Sequence, residues 1–155
     1  MVFLLIICLN HQAKMNQEYF MSVAIAEAKK GDAPYGAVMV KDNQVVALAH
    51  NTVARDCDPS AHAEINVIRR LANQINNFSL EGYSIYTTGE PCPMCAAACV
   101  WSGVSEIIYG VSIADLIAIN QSQINISCEE VIAKSFSNIR VTKGVLRQEC
   151  LKLFT

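Results

Sequence analysis

Ala61-His62-Ala63-Glu64 and, after 26 intervening residues, Pro91-Cys92-Pro93-Met94-Cys95 are the two stretches that organise this chain. One His and two Cys make three metal ligands, and the Glu is left over as a base. Three protein ligands with an open fourth position suit a catalytic zinc site, since structural zinc closes all four positions. Pro91 falls just outside a helix and Pro93 within its first turn, where a missing N–H costs nothing. Cys92 and Cys95, three apart, share one face of that turn, and the helix N-terminus favours their thiolate forms. His62 takes the equivalent place at the start of another helix, after the turn-forming Asp58-Pro59-Ser60.

Working outward, that His62 helix runs from about Ala61 to Gln74, with Ile65, Ile68, Leu71, Ala72 and Ile75 as its buried stripe and Arg69 and Arg70 wet. Upstream, Phe20, Val23, Ala24, Glu27 and Ala28 recur at helical spacing over 16–30, and Gly31-Asp32 ends the run. Gly36-Ala37-Val38-Met39-Val40 and Val45-Val46-Ala47-Leu48-Ala49 form a hairpin about Lys41–Gln44. Downstream, 83–88, 106–111 and 139–145 read as strands. The cysteine helix spans 92–101 and ends at Ser102-Gly103, and short helices follow at 114–120, 129–137 and 146–154. Strands separated by helices predict an α/β layered fold with one mixed sheet of about five strands, its hairpin antiparallel and its crossovers favouring parallel pairs. Residues 15–155 make one domain. Residues 1–14, apolar over Met1–Leu9 but too short to span a bilayer, read as an extended or misassigned start, disordered ahead of a second Met at Met15.

The chemistry follows from the ligand set. Two thiolates and a neutral imidazole balance the charge of Zn2+, one ion per chain, and zinc in such a site brings a water's pKa to about 7. Two thiolates with one imidazole also favour zinc over the hard cations. Glu64, two residues beyond His62 at a helix start, lies beside that water rather than on the metal. A carboxylate there takes the water's proton, passes it to a ring nitrogen and helps protonate departing ammonia. An amidine carbon becomes a carbonyl, so the reaction class is hydrolytic deamination.

Composition bounds the partners. Hydrophobic residues make up 52% and charged residues 17%, which suits a well-buried domain and excludes extensive disorder. With a net charge of −2, no overall basic field awaits a polyanion. Seven cysteines, two of them in C-x-x-C beside a metal-type His, fit metal ligation and free thiols in a reducing cytoplasm better than a disulfide framework.

From Pro34 to about Val111 the chain resembles the cytidine-deaminase-like superfamily, specifically its guanine deaminase and tRNA adenosine deaminase branch. The matching residues are Pro34-Tyr35-Gly36-Ala37-Val38, Asn51, Asp58–Glu64, Glu90–Cys95 and Tyr109-Gly110. The resemblance implies a three-layer α-β-α sandwich and a homodimer with active sites near the interface. It also implies that Asn51 hydrogen-bonds the base and that the Ala63 N–H helps bind it. Lys143–Cys150 looks like the end of the tRNA-acting members. The D-x-K-x-G-A-x-G segment typical of those members is replaced by Ser112-Ile113-Ala114-Asp115-Leu116, and no basic tail follows. The Asp-rich run and aromatic C-terminal segment usual in the free-base branch are lacking too.

The expectation is therefore a zinc-dependent deaminase of a free base or nucleoside, guanine-like by preference, with no membrane association. The alternative is a tRNA wobble adenosine-to-inosine deaminase, disfavoured by the acidic balance. From another class, a non-catalytic zinc-stabilised interaction module has no use for Glu64. A thioredoxin-like pair would explain C-x-x-C but not the upstream H-A-E. Cys99 shares the cysteine helix but sits deeper, among Ala96-Ala97-Ala98, and reads as core rather than as a fourth ligand.

Overall fold

In a computed structural model, the backbone is described from Val2 to Thr155 and the side chains from Met15 onward. The first helix, α1 (Val2–Ala28), begins ahead of the Asn16 start that the periodicity indicates and stops before Gly31 as anticipated. The expectation that residues 1–14 are an extended or misassigned, disordered start falls on residues whose side chains lie outside the described set.

Strands β1 (Gly36–Lys41) and β2 (Gln44–His50) form the hairpin. Asp42 and Asn43 both take positive φ, 50° and 57°, as a two-residue primed turn requires. The short helix α2 (Val53–Asp56) lies in the polar segment ahead of Asp58-Pro59-Ser60, where the sequence pattern indicates no element. Next come α3 (Ala63–Ile75), β3 (Ser84–Gly89), α4 (Pro93–Ser102) and β4 (Glu106–Val111). The chain closes with α5 (Ile113–Ala118), α6 (Cys128–Ala133), β5 (Arg140–Lys143) and α7 (Arg147–Leu151).

The sheet order is β2-β1-β3-β4-β5. Pairs β3–β4 and β4–β5 are parallel, and β1–β2 is antiparallel. The antiparallel β1–β3 pair departs from a simple crossover reading. The α3 crossover does make β3 run with β2, but β1 is inserted between them.

Alternation along the strands divides the interior into two cores. Ala37, Met39, Ile85 and Ile107 face Ala63, Val67, Leu71, Ala96, Cys99 and Val100, so α3, α4 and α6 cover one face. Val38, Val40, Tyr86 and Ile108 face Phe20, Met21, Ala24, Leu116 and Cys150, which puts α1, α5 and α7 on the other. This is the α-β-α sandwich expected. Gly36 is required where α1 crosses β1, because a Cβ there would meet the backbone of Ala24 and Ala28. The stripe on α3 differs in one respect. Val67 is fully buried and Leu71 nearly so, whereas Ile68, Ala72 and Ile75 are only half-buried at the margin.

Candidate active site

Two helix starts meet at the ends of the central strands. His62 is the N-cap of α3 and Cys92 the N-cap of α4, both with extended backbone, and Cys95 lies one turn into α4 behind Pro93 at its start. His62 Nδ1 lies 3.7 Å from Cys92 Sγ and 3.5 Å from Cys95 Sγ. Tetrahedral zinc with nitrogen at about 2.0–2.1 Å and sulfur at about 2.3 Å sets such donors about 3.5–3.6 Å apart. The three side chains thus fit the ion. Among the described residues they form the one group of metal-type donors close enough to share it. Cys99 is buried in the core and Cys57 is exposed at the end of α2, so neither supplies a fourth ligand.

The three donors perturb one another's titration. The Cys95 thiol donates to Cys92 and His62 lies against it, which together push Cys92 down to about 4. The same bond, with burial, pushes Cys95 up, and Cys92 likewise raises His62. Glu64 is 4% exposed in the first turn of α3, and burial pushes its carboxyl up to about 7. A buried carboxyl group that can exchange a proton near neutral pH thus lies beside the three donors.

A cavity of about 430 Å³ opens in front of the cluster. His62, Glu64 and Cys92 form its floor, and Tyr35, Asn51 and Asn120–Gln123 contribute to its walls. Asn51 is buried, and its Oδ1 accepts from Val53 N at 3.2 Å, so the Nδ2 donor is the end left for a ligand. Ala63 is fully buried as the first residue of α3, where N–H groups have no acceptor within the helix.

Several supporting residues escaped the sequence reading. Asn66 Nδ2 donates to His50 O, Thr52 Oγ1 and Ala61 O, at 3.0, 2.8 and 3.2 Å, and so pins both ends of the loop that presents Asn51 and His62. Gln123 Nε2 donates to Tyr35 Oη at 3.0 Å across the cavity wall. Buried Glu90 holds two distant backbone N–H groups. Asn66 lies on the polar margin of a helix and Gln123 in a low-complexity-looking polar loop, and neither spacing carries a signal. Glu90 stands in the quoted motif, but its partners are more than 20 residues away.

Fold and ligand set together define the class: a zinc-dependent hydrolytic deaminase of nucleobases or nucleosides. The cytidine and deoxycytidylate deaminase zinc-binding region matches residues 14–111, and the chain belongs to that family. It is similar to the tRNA-specific adenosine deaminase of Buchnera aphidicola subsp. Baizongia pistaciae (strain Bp), with 35% identity over 146 residues, 90% of this chain and 86% of the relative. The guanine deaminase of Bacillus subtilis (strain 168) is 36% identical over 106 residues, 65% of this chain and 68% of its own. A structure solved in work on A-to-I editing by tRNA:A34 deaminases at the wobble position superposes with a TM-score of 0.76 at 29% identity, covering 87% of this chain and 98% of that one. No described helix is long and apolar enough to cross a membrane.

Proposed function

We propose that the protein deaminates adenosine to inosine in a tRNA loop, acting on a flipped-out base. The observation that carries this reading is the likeness to a tRNA-specific adenosine deaminase along nine-tenths of the chain, against two-thirds for the guanine deaminase. It reverses the preference for a guanine-like free base that the net charge of −2 suggests.

The polar groups of the cavity accommodate the same choice. Its carboxylates are Glu64, needed for proton transfer, and Glu90, whose two oxygens are already held by backbone N–H groups. The other named wall groups are carboxamides, a phenol and Ser122. Guanine retains an N1–H donor beside the reacting carbon and needs an acceptor there, which a carboxamide oxygen of the wall can also supply. The adenine ring offers acceptors only, apart from the amine that leaves, and suits donors such as Asn51 Nδ2 and the Tyr35 hydroxyl.

When held by His62, Cys92 and Cys95, one zinc per chain supplies the Lewis acidity that makes water a nucleophile near neutral pH. Glu64 accepts one proton from water and delivers it to the ring nitrogen beside the reacting carbon, then takes the proton of the hydroxyl added to that carbon and passes it to the amine, which leaves as ammonia while the carbonyl forms. Water is consumed and ammonia released. Asn51 and the Ala63 N–H orient the base in the cavity in front of the three donors.

The protein acts as a cytoplasmic homodimer in this reading. Exposed Trp101 and Phe136, in edge-to-face contact at 5.1 Å beside α4, offer an apolar face for the second copy. Free guanine is the second reading, favoured by the Bacillus subtilis relative.

Ammonia release from zinc-loaded protein tests these readings, on adenosine, guanine, cytosine and an anticodon stem-loop with adenosine at the wobble position. Turnover of the stem-loop alone, abolished in Glu64→Ala, is the expected result. Turnover of guanine alone would replace the tRNA reading, and a zinc-loaded protein silent on every substrate would leave the non-catalytic zinc module.

A further inference from the structure

Glu90 is a buried carboxylate to which the deamination chemistry assigns no task. It is 5% exposed and lies two residues before Cys92. Its Oε2 accepts from Ile113 N at 2.8 Å and its Oε1 from Cys128 N at 2.9 Å. These are the first residues of α5 and α6. The Glu90 N–H donates to Val111 O at 2.7 Å, so this one residue meets the chain ahead of α5 as well.

Neither helix needs Glu90 in order to start. Each carries its own capping box, Ser112 with Asp115 and Ser127 with Glu130. What the carboxylate adds is a fixed position of both helix starts relative to the Pro91-Cys92 turn. Between the two captured N–H groups runs the polar segment 119–127, from which Asn120, Gln121, Ser122 and Gln123 line the cavity opposite the ligand cluster. The Gln123–Tyr35 bond ties the middle of that segment to the start of β1. A wall built of carboxamides on a loop aims its donors only as well as the loop's ends are held.

We propose that Glu90 is a positioning residue for the deamination: by holding the first N–H groups of α5 and α6 it sets the Asn120–Gln123 wall against the metal-ligand turn, and so holds the base over Glu64. The proposal rests on the reading of this cavity as the base-binding site.

Glu90→Gln in the full-length, zinc-loaded protein tests it. The carboxamide keeps the volume but turns an NH2 group toward one of the two N–H donors, which removes one clamp. On the anticodon stem-loop, KM rises about tenfold while kcat stays within about threefold, as loss of uniform binding requires. Zinc stays at one per chain. Glu90→Asp, charged but one methylene short, reproduces this split. Gln123→Ala weakens binding in the parent and much less in Glu90→Gln, because both act through one wall.

Amide exchange supplies a readout without substrate: residues 119–127, with Ile113 or Cys128, exchange faster in Glu90→Gln, while α3 and α4 do not change. Faster exchange in a protein inactive on every substrate would retain the clamp and reject the substrate reading. Unchanged exchange over 119–127, additive effects of the two substitutions, or joint loss of zinc and kcat at constant KM would each overturn the proposal.

Discussion

Asp115→Asn is expected to destabilise the protein by about 1 kcal/mol at neutral pH, by opening a clasp between α5 and α7. Asp115 Oδ1 accepts from Arg147 Nη2 at 2.6 Å, and Oδ2 accepts from Arg147 Nε at 3.0 Å and from Ser112 N at 3.2 Å. The Arg147 guanidinium is the main reason that the carboxyl lies at about 2 instead of 3.8. A depression of that size corresponds to about 2.5 kcal/mol for a fully shielded pair. Here the side chains are 24% and 42% exposed, and solvent screening brings the figure to about 1 kcal/mol. Because the folded-state pKa is depressed, the contribution is fully present above the unfolded value and is lost as pH falls through the folded one. The penalty of the substitution should therefore be constant between about pH 8 and pH 5 and shrink below about pH 4. Urea denaturation followed by circular dichroism measures it directly, and in a thermal scan it corresponds to about 2–4 °C. A variant as stable as the parent at neutral pH, or a penalty that grows on acidification, would refute the reasoning.

Three further outcomes test the fold and the metal centre. Gly36→Ala pushes a methyl into the α1 backbone, with Ala28 N only 2.6 Å from the new carbon, and is expected to cost about 1–3 kcal/mol in urea denaturation; a neutral effect would mean that α1 does not cross β1 so closely. Leu71→Ala empties a site in the core between α3 and the sheet and is expected to cost about 2–5 kcal/mol, read as a lower urea midpoint with an unchanged slope. Cys92→Ala removes one of three ligands, so zinc content by atomic absorption should fall well below one per chain with activity, and the melting temperature should then no longer respond to a chelator that lowers it in the parent.

Much of the sandwich was legible locally. Apolar periodicity changes from helix to strand at Gly36, Asp42-Asn43 marks the hairpin, and Ser102-Gly103 ends the cysteine helix, since each signal depends on neighbours within a turn or two. The metal group was legible for a related reason. His62 and Cys92 both stand where a strand-to-helix connection ends, and Pro93 and the C-x-x-C spacing fix the direction of the sulfurs. Local signals failed where a residue's role depends on distant partners. The polar segment before Ser60 hid α2, and Val67, outside the expected stripe of α3, is buried because the helix lies across β1 and β2.

The sequence by itself determined the layered α/β class and pointed to His62, Cys92 and Cys95 as one group of metal-type donors with Glu64 beside it, because ligand chemistry and helix-start geometry are short-range. Only the tertiary structure decided that β1 lies between β2 and β3, that Asn66 closes the loop carrying Asn51, and that Glu90 and Gln123 fix the wall facing the metal centre. These contacts join residues 14 to 88 positions apart, and a hydrogen bond across such a distance exists only once the sheet has brought its two ends together.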